Sequence, residues 1–310
     1  MKIAVTGATG NFATGAITGL LKIMDPKDLI LFSRKPEKLA HYKEMGCDTR
    51  FGDYEKPESL PAALEGAEKV MMISGHHVGH RIPQHTACVN AAKQVGVKHI
   101  VYTSYFGSDA NNTALVCQDH HGTEEVLKES GLAYTIMRDG LYMDTAGNAM
   151  IPGSYAFGNW VHAAGDGKIS LVDRRDVFAC AVAILTTPGH EFKTYNITGD
   201  ELFSFEDIAQ IAWDITGKKF EMLASTEDDF YKLWMSRGIP RDASQEFNVG
   251  GFEWCCDDMI SFEREVRLGK FAILSHDIEK LLGRPAKTLK AFMLERADMF
   301  KEAAEKGVQS

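Results

Sequence analysis

The chain has 310 residues, 45% hydrophobic and 25% charged, an ordinary globular composition with length for one large domain or two. Its net charge of −9 and pI near 5.7 argue against general affinity for nucleic acid or anionic membranes. No apolar run reaches membrane-spanning length, the N-terminus lacks a signal-peptide core, and the six cysteines show no CxxC spacing, so a cytoplasmic protein with reduced thiols is expected.

Ile3, Ala4 and Val5 predict a short central strand. Thr6-Gly7-Ala8-Thr9-Gly10-Asn11-Phe12-Ala13 then turns into a helix carrying Phe12, Ile17, Leu20 and Leu21. A strand that turns through glycines into a helix leaves unpaired N–H groups at a positive helix end, which suits a pyrophosphate. Gly7 permits the tight turn, Gly10 admits a ligand close to backbone, and Ala13 takes the place of a third glycine. Leu29 to Phe32 predicts a second strand, followed by Ser33-Arg34-Lys35 and a helix from Pro36 to about Met45. Thr49 to Phe51 is a third strand, ending at Asp53-Tyr54; a short helix runs through Leu64. Val70 to Ile73 ends in Ser74-Gly75-His76-His77, and a helix spans Pro83 to Val95. His99 to Ser104, a helix from about Asp119 to Ser130, and a strand from Tyr134 to Met137 complete the alternation; Arg138, Asp139, Gly140 and Tyr142 follow.

Strands alternating with helices imply a parallel sheet with right-handed crossovers. The expected fold is α/β, a Rossmann-like doubly wound parallel sheet with a smaller, mainly helical C-terminal lobe. Residues 1–150 form the dinucleotide-binding domain, 172–200 return to its sheet, and 151–310 supply a lobe covering the substrate. After Tyr142 the pattern loosens. Residues 146–159 read as loop or short helix, Asp176 as the cap of a helix to Leu185, and Thr194 to Thr198 as a further strand. Ser204-Phe-Glu-Asp207 has capping-box spacing, and breaks are expected at 238–240 and at Gly250-Gly251.

Ligands of such sheets bind at the carboxyl ends of the strands. Gly7 to Phe12, Ser33 to Lys35, Asp53-Tyr54, Ser74-Gly75, Ser104 and Arg138 to Tyr142 therefore converge on one crevice. An acid after the second strand would select NAD, but this chain has Ser33-Arg34 there, suited to a 2′-phosphate. NADPH is thus favoured over NADH. Asp53 is placed for the adenine amino group and Tyr54 for the adenine edge.

No tyrosine has a lysine four residues on, so the usual dehydrogenase proton donor is missing. Three residues compete for substrate chemistry. His120, paired with Glu124, is a proton donor or a packing histidine. Tyr142 is a phenol for a substrate carbonyl or packs on the nicotinamide. Ser104 bonds substrate, ribose or strand-end backbone. His76, His77, His80 and His85 cluster without carboxylate or cysteine partners at ligand spacing, so no metal is expected. The acidic, aromatic segment Glu253 to Asp258 reads as a lid, an oligomer contact, or surface charge; monomer and homodimer both remain open.

Thr6-Gly7-Ala-Thr-Gly10, Val78-Gly79-x-Arg81-x-Pro83-Gln84-His85, Asn90-Ala-Ala-Lys93, Tyr102-Thr-Ser104 and Ala164-Gly-Asp-Gly-Lys168 together resemble the NmrA-like branch of the atypical short-chain dehydrogenase/reductases, and within it the bacterial NADPH-dependent quinone reductases. The resemblance spans most of residues 1–220. It implies a Rossmann domain with a small C-terminal lobe, NADPH, and no Tyr/Lys pair. By position, Gly7, Thr9, Gly10, Asn11 and Phe12 would line the pyrophosphate, Arg34 the 2′-phosphate, and Ser74 and Gly75 the inner ribose. Asp139, Gly140 and Tyr142 would sit at the nicotinamide end. Asp139 departs from the asparagine common in these relatives and so puts a negative charge near the reactive ring. The expected function is NADPH-dependent reduction of a quinone, conjugated carbonyl or similar planar aromatic small molecule. A non-catalytic NADP(H)-sensing regulator, and an isomerase or dehydratase on the same fold, are the competing functions.

Overall fold

Short, mainly apolar strands recur from residue 3 onward, the pattern of a sheet covered on both faces. The computed structural model describes residues 1–244 and 255–307. The first half runs β1 (Ile3–Val5), α1 (Asn11–Leu20), β2 (Leu29–Ser33), α2 (Ala40–Glu44), β3 (Asp48–Phe51), α3 (Leu60–Leu64), β4 (Lys69–Met72), α4 (Arg81–Gln94), β5 (His99–Tyr105), α5 (Leu115–Glu129) and β6 (Ala133–Asp139). The second half runs β7 (Leu141–Tyr142), α6 (Met143–Thr145), α7 (Ile151–Phe157), β8 (Asn159–His162), β9 (Ile169–Val172), α8 (Arg174–Thr186), β10 (Lys193–Ile197), β11 (Leu202–Phe203), α9 (Phe205–Thr216), β12 (Glu221–Ala224), α10 (Glu227–Ser236), α11 (Cys256–Arg267), α12 (Asp277–Leu282), α13 (Leu289–Leu294) and α14 (Ala297–Lys306).

Seven parallel strands form one sheet in the order β10-β6-β5-β4-β1-β2-β3. The order reverses beside β1, so the crevice opens between the ends of β1 and β4. Strand alternation divides the core. Ile3, Val5, Leu29, Leu31, Met71 and Val101 face α1 and α8, while Ala4, Ile30, Phe32, Val70, Met72 and Tyr102 face α3, α4 and α5. Helix α1 lies close on α8 through glycines: a Cβ on Gly15 would fall 2.0 Å from the Phe178 ring. Within residues 172–200, β10 pairs with β6.

A second core gathers Tyr155, Trp160, Phe205, Ile208, Phe292 and Phe300. Two small sheets, β11-β9-β7 and β12-β8, hold it against the main sheet; none of β7, β8, β9, β11 or β12 was expected. Their two to four residues carry too little alternation to be seen. Residues 143–157 are continuously helical, with a π turn over 146–150, and not a loop. Helix α5 begins at Leu115, four residues before the expected Asp119. The cap of α8 is Asp173, whose side chain accepts from Arg175 N, and not Asp176. Asp176 is buried and takes Arg284 Nη2 at 2.6 Å and Lys287 N at 2.8 Å. Ser204 and Asp207 form the anticipated capping box. Gly250, Gly251 and the start of the acidic segment at Glu253 lie outside the described residues.

Candidate functional site

A cleft of about 400 Å³ lies over the switch point. Gly7, Thr9, Gly10, Asn11 and Phe12 form one wall. Gly7 has a φ of 57°, the left-handed region that favours glycine, and a Cβ on Gly10 would press on Gly7 O at 3.2 Å. Helix α1 has neither a side-chain N-cap nor an acid in its first turn, so its leading N–H groups face the cleft uncompensated. Phe12 is held edge-on to Phe178, ring centres 5.1 Å apart. Arg34 is exposed on the rim and forms no ion pair among the described residues. Buried Ser33 shapes the turn beneath it by accepting from Lys35 N at 3.1 Å. These features fit a dinucleotide with a phosphate at each place.

Asp53 also lines the cleft, where its Oδ1 accepts from Glu55 N at 3.1 Å. The Tyr54 hydroxyl is turned inward, 2.8 Å from Thr6 Oγ1 and 2.9 Å from Ile73 O, so it ties β1 to β4. Ser74 N donates to Thr103 Oγ1 at 3.0 Å. Gly75 N donates to His85 Nε2 at 3.0 Å, and Gly75 O accepts from Arg81 Nε at 2.7 Å. Arg81 also reaches His76 O at 3.1 Å and Asp119 Oδ2 at 3.5 Å, while Asp119 takes Gly79 N at 2.6 Å. This clamp fixes the loop after β4. Nothing in the spacing of Arg81, His85 and Asp119 signals this clamp; only their side-chain contacts show it. His76 and His77 line the cleft, whereas His85 is buried and its pKa is pushed down to about 3 by burial and by Arg81. Among the described residues no group of His, Cys, Asp and Glu side chains has the arrangement of a metal site.

The structure separates the three residues expected at the reaction centre. Ser104 is buried away from the cleft, donating to Glu124 Oε1 at 2.6 Å. Glu124 in turn grips Arg138 through Nε at 2.9 Å and Nη2 at 2.7 Å. His120 is not oriented by Glu124: its Nδ1 meets the Tyr102 hydroxyl at 2.7 Å in the interior, and burial drives its pKa well down. A buried neutral imidazole outside the cleft is a packing group. Tyr142 alone of the three lines the cleft. Its hydroxyl lies 3.0 Å from Asp139 Oδ2, and the Arg174 guanidinium stands over its ring at 4.7 Å. Arg174 lines the cleft too; it was missed because β9, which delivers it, was missed.

Gly140 is buried, its N–H donating to Ile197 O at 2.9 Å. Asp139 is 2% exposed, its Oδ1 has no hydrogen-bond partner among the described residues, and burial raises its pKa well above the carboxylate range. Burial thus opposes the negative charge expected there, because a bare buried carboxylate oxygen is costly.

Beyond Tyr142 lies a second cavity of about 440 Å³. Leu141 lines this cavity and Tyr142 the cleft, so consecutive residues of β7 reach the two pockets. The walls of the cavity are mainly apolar and include the rings of Tyr105, Trp160, Phe205, Phe230 and Phe262. Two carboxyls interrupt them: burial pushes Asp258 up to about 6 and Glu263 up to about 8.

An NAD(P)H-binding family model matches residues 7–188. Quinone oxidoreductase 2 of Escherichia coli strain K12 is 33% identical over 289 residues, 93% of this chain and 96% of its own. The NAD(P)H azoreductase of Xenophilus azovorans is 27% identical over 96% of this chain and 99% of its own. The crystal structure of the NADPH-dependent quinone oxidoreductase of Escherichia coli in complex with NADPH superimposes with a TM-score of 0.84, 32% identical, covering 95% of this chain and 99% of that one. A nicotinamide-dinucleotide cleft on this fold, matched over nearly full length by such reductases, places the chain in the NAD(P)H-binding family, in the NmrA-like branch of the atypical short-chain dehydrogenase/reductases, as an NAD(P)H-dependent oxidoreductase.

Proposed function

We propose that this oxidoreductase uses NADPH to reduce a quinone, conjugated carbonyl or similar planar aromatic acceptor. The observation that carries this is the largely apolar, ring-lined cavity beside the cofactor cleft, Leu141 lining the cavity and its neighbour Tyr142 the cleft. A cavity of about 440 Å³ is the size of a small-molecule site, and flat aromatic walls favour a flat apolar ligand. In this proposal residues 1–150 with 172–200 hold the cofactor, and the rest of 151–310 covers the acceptor. Bound NADPH supplies hydride. Gly7, Thr9, Gly10, Asn11 and Phe12 cradle its pyrophosphate, Arg34 holds the 2′-phosphate, Asp53 receives the adenine, and Ser74 and Gly75 border the ribose. The protein orients the acceptor and excludes water, while Tyr142 donates a hydrogen bond to the oxygen that gains charge.

The test is NADPH oxidation with a panel of quinones, enones and azo dyes, run beside NADH. Saturable turnover with planar acceptors and preference for NADPH is the expected result. Tight cofactor binding with no turnover would overturn it and favour a cofactor-sensing role.

A further inference from the structure

The chain has no Tyr-x-x-x-Lys pair to supply the proton of a reduced acceptor, and Tyr142, bonded to Asp139, lines the cleft. We propose that Asp139 is held as a neutral acid and resupplies, through Tyr142, the proton that the reduced acceptor takes up. This rests on the acceptor reduction proposed above.

The geometry carries the inference. The Asp139 backbone is pinned on both sides: its O accepts Phe106 N at 3.0 Å, and its neighbour Gly140 donates to Ile197 O at 2.9 Å. Among the described residues its side chain has one polar contact, Tyr142 Oη at 3.0 Å from Oδ2, and Oδ1 is buried without a donor. An ionised carboxylate in that place would leave an oxygen desolvated and unpaired; a carboxylic acid leaves only a carbonyl so. The carboxyl proton can then lie on the Oδ2 to Oη contact. That frees the Tyr142 proton to point into the cleft that Tyr142 lines.

The charges around the pair fit this transfer. Asp139 faces Tyr142 from β7 and Cys180 from α8, and burial raises the pKa of that thiol as well. Tyr142 faces Arg174 and Tyr105. Arg174 over the ring at 4.7 Å stabilises a developing phenolate, while its own Nε is buried without a hydrogen-bond partner. Asp144 lies 4.0 Å from that nitrogen, and no other acid is paired with Arg174 among the described residues.

The step balances. The acceptor gains two electrons and one hydrogen as the hydride of the reduced cofactor. The Tyr142 O–H bond breaks as its proton bonds to the acceptor oxygen. The Asp139 O–H bond breaks as that proton restores Tyr142, and water reprotonates the Asp139 carboxylate. A conjugated carbonyl needs this acid more than a quinone does, because a hydroquinone anion is protonated readily by water.

The test compares wild type with D139N, which keeps size and hydrogen bonding but cannot give up a proton, and with Y142F. Infrared difference spectra of the cofactor-free proteins at neutral pH should show a protonated-carboxyl band lost in D139N and shifted in Y142F. With an enone, D139N turnover should fall at least tenfold and recover with added imidazolium or acetic acid. Absence of the band, or enone turnover in D139N equal to wild type, would overturn the proposal. Should wild type reduce no acceptor, the acceptor reduction fails and the relay with it, while the band still reports whether Asp139 is neutral.

Discussion

His85 Nε2 accepts the Gly75 N–H at 3.0 Å, so a ring buried between α4 and β5 holds the backbone of a cleft-lining glycine. Its Nδ1 is bound to Thr123 Oγ1 at 2.8 Å, which fixes the ring from the other side.

Only a neutral imidazole can accept that N–H. H85A should cost about 1–3 kcal/mol of stability by leaving a buried donor unpaired, and should weaken NADPH binding roughly tenfold by loosening the loop. Because the folded pKa is about 3, below the unfolded value, wild type keeps this contribution above about pH 6.5 and loses it progressively as pH falls toward 3. Denaturant titrations at pH 7 and pH 5 should show a smaller drop for H85A than for wild type.

Arg34 is the one cleft cation at the end of β2. R34E should weaken NADPH binding at least about tenfold more than NADH binding, since the phosphate then meets a like charge. Calorimetric titration with both cofactors reads this; equal losses would remove Arg34 from the 2′-phosphate.

Glu263 offers a pH test of the aromatic cavity. Burial raises it to about 8, above its unfolded range, so the native state holds a proton that the unfolded chain releases near pH 4.5. Wild-type stability should therefore decline from this group as pH rises from about 4.5 to 8, by up to roughly 1.4 kcal/mol per pH unit. E263Q preserves an oxygen to accept Ala163 N and should be more stable than wild type at pH 8, with the gap closing by pH 4. Chemical denaturation at the two pH values measures it.

The parallel sheet was legible because most strands from Ile3 to Met137 are apolar runs that alternate with helix patterns. The glycine turn and Arg34 were legible for the same reason: backbone conformation and charge are local properties. His120 and Ser104 were not, since their sequence spacing is right for chemistry while their partners, Tyr102 and Glu124, turn them inward. Arg174 escaped because its placement depends on β7, β9 and β11 pairing across sixty residues, which no local pattern records. Asp139 was visible as a residue but not as a neutral acid, because its charge state follows from burial.

The most direct measurement is single-turnover oxidation of bound NADPH on mixing with a small quinone, for wild type and G153F. Gly153 lines the aromatic cavity within α7, and a Cβ there meets no atom within 4 Å, so the new ring fills the cavity without straining backbone. Wild type should oxidise its NADPH at a rate that saturates with quinone, and G153F should bind NADPH equally well yet lose at least about 90% of that rate. Oxidation by G153F at the wild-type rate, or none by wild type despite bound NADPH, would contradict reduction of an acceptor held in this cavity.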